Sequence, residues 1–150
     1  TGAKVVIGDL KIGSTRGTAL IQDIVRSLEA RDGHQVIDGP PGNSCAAVAA
    51  IKPADLVVLV VEPTPFGLHD MLQTLQIVEG MQKPLVVVAN KSQDRAPLSR
   101  ELAKRGYTVA ATLPLDRDYH RMLLEGKILS AVRPEVFAAL QQALAGEVTR

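Results

Sequence analysis

The chain has 150 residues, 46% of them apolar and 22% charged, which is the size and make-up of one globular domain. Its 17 Lys and Arg nearly balance 16 Asp and Glu, so bulk charge points to neither nucleic acid nor an anionic membrane, and 3% aromatics without Trp offer no base-stacking platform. A single cysteine excludes an internal disulfide framework and any zinc or iron–sulfur site held by this chain's cysteines alone.

The chain opens at Thr1 rather than Met, so a fragment is expected. Residues 4–8 are short and β-branched and predict a strand. Leu20, Ile21, Ile24, Val25 and Leu28 recur at helical spacing, giving an amphipathic helix over 18–31 that Asp32 and Gly33 end. Residues 35–38 predict a brief strand stopped by Gly39-Pro40-Pro41-Gly42. The small residues of 45–51 predict a short helix, with Cys45 as a small buried thiol. Residues 56–61 form a continuous run of large apolar residues, which predicts a strand buried on both faces and falls far short of the ~20 residues that span a bilayer. Thr64 and Pro65 open a helix carrying Leu68, Met71, Leu72, Leu75, Val78 and Met81. A buried strand over 84–89, a helix over 97–105, a strand over 107–113 and helices over 118–125 and 134–144 follow. Such alternation predicts one α/β domain over 1–150, with a mainly parallel sheet and helices on both faces. No basic-then-apolar leader is visible, and a cytoplasmic protein is expected.

In an open parallel sheet, ligands bind beyond the carboxyl ends of the strands. Those ends carry Asp38 with Gly39–Gly42, Glu62-Pro63-Thr64-Pro65, Asn90-Lys91-Ser92-Gln93 and Pro114-Leu115-Asp116. A carboxylate such as Asp38 at a strand end can hold the water shell of Mg²⁺, and glycines after it leave backbone N–H groups open to a phosphate; alternatively Asp38 caps the next helix. Asn90 and Lys91 resemble the base-reading turn of GTP-binding proteins, since an Asn offers a donor and an acceptor to a purine edge. Gln93 stands where guanine reading needs a carboxylate, so adenine fits better; the alternative is an Asx turn. A Gly-x4-Gly-Lys-Ser/Thr loop is absent. Residues 13–18 read as a helix entry or a degenerate phosphate loop. His34, His69 and His120 have no zinc-site spacing, and Ser44 lies in no nucleophile elbow.

Taken in order, the motifs at 36–42, 54–56, 61–70, 90–91 and 113–117 closely resemble the MinD/ParA superfamily of P-loop ATPases, nearest the branch with an inserted ferredoxin-type segment. The resemblance runs from about Gly13 onward and implies a P-loop NTPase-like fold. It implies that Asp38 is the Walker B carboxylate and Mg²⁺ ligand. It makes Gly39, Pro40, Pro41 and Gly42 the loop that senses the γ-phosphate, with Asp38 and Gly42 in catalytic roles. Asn90, Lys91, Pro114, Leu115 and Asp116 would line the adenine pocket. The family's first strand, lysine-bearing phosphate loop and iron–sulfur insertion are missing, so the chain resembles the carboxyl-terminal portion of such a protein. The implied activity is Mg²⁺-dependent ATP hydrolysis in the intact protein, with this chain inactive alone. A 4Fe–4S cluster would come only with the missing insertion. A homodimer and an iron–sulfur or metalloprotein partner are implied. The alternative is a non-catalytic assembly module with a vestigial nucleotide site.

Overall fold

The computed structural model describes residues 5–11, 13–29, 33–127 and 133–146. In chain order they form α1 (Gly17–Glu29), α2 (Cys45–Ile51), β1 (Val57–Val61), α3 (Pro65–Gly80), β2 (Leu85–Ser92), α4 (Ala96–Ala103), β3 (Val109–Pro114), α5 (Arg117–Leu124) and α6 (Pro134–Ala145). The strands pair in parallel in the order β1-β2-β3, with Val57 against Leu85 and Val88 against Ala111. Parallel neighbours need a crossover, and α3 and α4 supply the two connections.

The sheet holds two cores because β2 alternates. Leu85, Val87 and Ala89 point to one side, where Met71, Leu75 and Val78 of α3 and Leu98 and Leu102 of α4 meet Val61 and Tyr107. Val86 and Val88 point to the other, against Ala111, Leu113 and Val136, with Ala139, Leu140 and Ala143 of α6 alongside. Burying a leucine such as Leu75 or Leu98 fully is worth about 1.5–3 kcal/mol, and both are wholly inaccessible. So β2 is the strand with both faces buried that its apolar run predicts.

Local signals place the helices. Thr64 caps α3, its Oγ1 accepting from Gly67 N–H at 3.0 Å, and Pro65 occupies the first turn. A Cβ at Gly67 would stand 2.1 Å from the carbonyl oxygen of Glu62, so this strand-to-helix turn closes only around a glycine. Ser44 caps α2 in the same way, accepting from Ala47 N–H at 3.2 Å.

Four expectations fail. Residues 35–38 and the described part of 4–8 are not strands. Neither pairs with a described strand, and four or five residues without a strand beside them do not hold an extended ladder; Val36 is left 92% exposed. β1 is an edge strand with one face open: Val58 and Val60 are not part of the cluster that α6 covers and are 44% and 57% exposed. Cys45 is exposed, because it opens α2 while Ala47 and Ala50 turn inward. Lys4, Ala30, Arg31 and Asp32 of the expected elements lie outside the described residues.

Candidate functional site

The carboxyl ends of the three strands come together, and their residues touch. At the end of β2 the register with β3 breaks between Ala89 and Ser92, and Lys91 takes a left-handed backbone, φ +50°. The Lys91 N–H donates to Asn90 Oδ1 at 3.0 Å, and Lys91 Nζ reaches across to Glu62 Oε1, beyond the end of β1, at 2.5 Å. Asn90 and Lys91 therefore sit in an irregular strand end rather than in a loop after the strand. A non-glycine residue in this conformation is strained, and such strain collects at binding sites.

Lys91 shares a hollow of about 480 Å³ with Leu115, Asp116, Arg117, Arg121 and Leu124. Its lining combines the apolar Leu115 and Leu124 with the cationic Lys91, Arg117 and Arg121. Asp116 is committed to structure as well: Oδ1 accepts from the N–H groups of Asp118 and Tyr119 at 2.9 and 3.2 Å, which opens α5, and Oδ2 pairs with Arg133 Nη2. The Tyr119 N–H, then that of Asp118 and the Arg133 guanidinium, hold its carboxyl below the usual carboxylate range against the opposing effect of desolvation.

The loop at 39–42 is tied elsewhere. Gly42 has φ +78°, and its carbonyl accepts from the buried Thr74 Oγ1 of α3 at 3.3 Å. Asp38 beside it is exposed and makes no hydrogen bond or ion pair among the described residues. Among the described residues no three His, Cys, Asp or Glu side chains gather. One free carboxylate still suits Mg²⁺, which keeps several waters and takes one or two carboxylates plus substrate phosphates. Cys45 alone cannot hold an iron–sulfur cluster.

The structure thus joins Lys91 to Leu115 and Asp116 in one hollow; Asn90 and Pro114 adjoin it without lining it. Glu62 is one of the expected strand-end residues, and Arg117 lies in the 113–117 motif; Arg121, Leu124 and Arg133 are additions. Arg117 and Arg121 were visible as an i, i+4 pair on one helix face. The Arg133 contact spans 17 residues and leaves no local signal. A larger hollow of about 620 Å³ lies at the opposite, amino end of the strands, against Leu56, Leu85, Tyr107 and Leu144, and contains none of the expected site residues.

The fold has a counterpart among solved structures. The chain superposes on the structure of Cyanthece apo McdA with a TM-score of 0.64 and 19% identity, covering 85% of this chain and 59% of that one. The chain therefore shares the α/β fold of that structure, a parallel sheet with helices on both faces. No family model matches the sequence. Two uncharacterized proteins of Methanocaldococcus jannaschii are similar in sequence. MJ0578 is 29% identical over 93 residues, 60% of this chain and 33% of its own length. MJ0579 is 27% identical over 88 residues, 58% of this chain and 33% of its own length. The chain spans about a third of the length of these curated relatives. No helix of the described residues is long and apolar enough to cross a membrane.

Proposed function

We propose that this chain is the adenine-binding part of a MinD/ParA-like ATPase whose phosphate loop lies outside these residues. The observation that supports it is the hollow that joins Lys91 to Leu115 and Asp116 at the carboxyl ends of a parallel sheet of this fold. In this reading Leu115 and Leu124 pack against a base. The Asn90 amide N–H₂, left free when Oδ1 accepts from Lys91, donates to the base edge. Asp38 and the N–H groups of Gly39 and Gly42 serve the phosphates in the same reading. Mg²⁺ at Asp38 would neutralise phosphate charge. Hydrolysis belongs to the longer protein, because phosphoryl transfer also needs the lysine-bearing phosphate loop, and the sequence has no Gly-x4-Gly-Lys-Ser/Thr run. A cytoplasmic setting and an iron–sulfur or metalloprotein partner belong to the same reading.

The test has two arms. The chain alone releases no phosphate from ATP; steady release abolished by Asp38→Ala overturns the division of labour. In a chain extended to carry a phosphate loop, Asn90→Ala weakens ATP binding by roughly 1–3 kcal/mol, as stranding a buried polar partner does, while Asp38→Ala chiefly lowers turnover. Unchanged nucleotide affinity in the Asn90 variant removes Asn90 from the base site.

A further inference from the structure

The hollow at the carboxyl ends of the strands has Lys91, Asp116, Arg117 and Arg121 as its charged lining, and all but one of them are taken. Lys91 Nζ is held by Glu62 at 2.5 Å, and Arg121 Nη2 by Asp118 at 3.1 Å. Asp116 gives Oδ1 to the N–H groups of Asp118 and Tyr119 and Oδ2 to Arg133. Arg117 is left. Its side chain is exposed and makes no hydrogen bond or ion pair among the described residues. The carboxylates on either side of it in sequence, Asp116 and Asp118, are the ones already held by other guanidinium groups. Arg117 also opens α5, where the helix dipole opposes a positive charge. Nothing among the described residues stabilises a cation at this position.

The surroundings indicate what a free guanidinium does there. Leu115 and Leu124 line the same hollow and are 55% and 82% exposed, so the apolar surface beside Arg117 is uncovered too. A guanidinium is planar and weakly hydrated, and it stacks on ring faces as well as pairing with anions. The groups that serve the phosphates, Asp38 and the 39–42 loop, are not part of this lining.

We propose that Arg117 is a specificity-determining residue of the hollow, its guanidinium stacked on the face of the bound purine that Leu115 and Leu124 leave open. This rests on the reading of the hollow as a base site and gives it a second kind of discrimination. Asn90 reads the edge of the ring, whereas Arg117 reads its area. Contact energy grows with the number of atoms covered, so the two rings of a purine gain more from the stack than the single ring of a pyrimidine. The other use of a free arginine, pairing with a phosphate, predicts the opposite pattern in the test below.

The test is a cycle of four affinities, measured by calorimetry on the longer protein with its phosphate loop. ATP and ribose 5′-triphosphate are each titrated into the unaltered protein and into Arg117→Met. Methionine keeps an unbranched apolar stem and removes the flat cation; ribose 5′-triphosphate keeps every phosphate and lacks the ring. In the variant, ATP binding should weaken roughly tenfold, the order of a partly desolvated cation–π contact. Ribose 5′-triphosphate binding should stay unchanged, and the preference for ATP over CTP should fall. Arg117→Lys, which keeps the charge without the plane, should recover only part of the loss. Equal weakening of both ligands overturns the proposal and puts Arg117 on the phosphates. ATP binding that ignores Arg117 overturns the proposal alone and leaves the base site standing. Failure of the unaltered protein to bind ATP overturns the base site and this proposal together. Should the methionine variant misfold, Arg117→Gln carries the same cycle.

Discussion

Residues 85–89 and 35–38 are both short and carry β-branched residues, and they end differently. The first run is the central strand β2, with five consecutive buried residues. The second has no regular structure, with Val36 among the most exposed apolar residues described. The difference is in what lies beside them. β2 has a strand on either side to take its N–H and C=O groups and helices over both faces. No described strand pairs with residues 35–38. An apolar pattern proposes a strand, but a backbone partner decides whether it forms.

The sharpest way to break this contrast is to damage the covered region. Leu75→Ala removes a side chain held between α3 and the sheet and should cost about 2–5 kcal/mol, read as a fall in the urea midpoint; a loss under a tenth of that would show that the α3 side of the sheet is as loosely packed as the amino-terminal segments. Next comes Gly67→Ala. With its Cβ at 2.1 Å from the Glu62 carbonyl oxygen, the turn must open, and a loss of roughly 1–3 kcal/mol follows. A neutral result would mean that the turn between β1 and α3 gives way to the added Cβ.

Acid tests a smaller effect. Asp116 has a folded-state pKa below its unfolded value, first through the Tyr119 N–H. Its contribution is therefore present above the unfolded pKa, near 3.9, and is lost as pH falls through the lower folded value. Asp116→Asn should flatten that part of the acid unfolding curve, and an unchanged curve would separate Asp116 from the start of α5. Smallest of all, Val36→Ala should stay within about 0.5 kcal/mol, as surface changes do; a larger loss would show that 35–38 is packed in solution.

The sequence carries the carboxyl-terminal architecture in full view. Thr64 with Pro65, the five apolar residues of β2 and the helical spacing from Leu68 to Val78 each name their element, because the signal is local. Where it misleads, the missing information is non-local. Nothing in Val58 or Val60 says that their face of the sheet is left open, and nothing in Asp116 says that Arg133 will turn back to meet it. The candidate site divides in the same way. Asn90, Lys91 and the 114–116 run were legible as strand ends, whereas the Glu62 contact that anchors Lys91 depends on the lateral order of β1 and β2.

Lys91 also sets two requirements against each other at a single position. Its backbone asks for glycine, the residue that takes a positive φ freely. Its side chain must span from β2 to Glu62, and only a long cation does that. No amino acid serves both. Glycine would relax the backbone and cut the tie; another long side chain would keep the tie and the strain. The half-exposed ion pair is worth at most about 1 kcal/mol, no more than the left-handed backbone costs. Position 91 is thus a stalemate in stability, and what the lysine secures there is alignment: the tips of two neighbouring strands held at a fixed spacing beside the hollow.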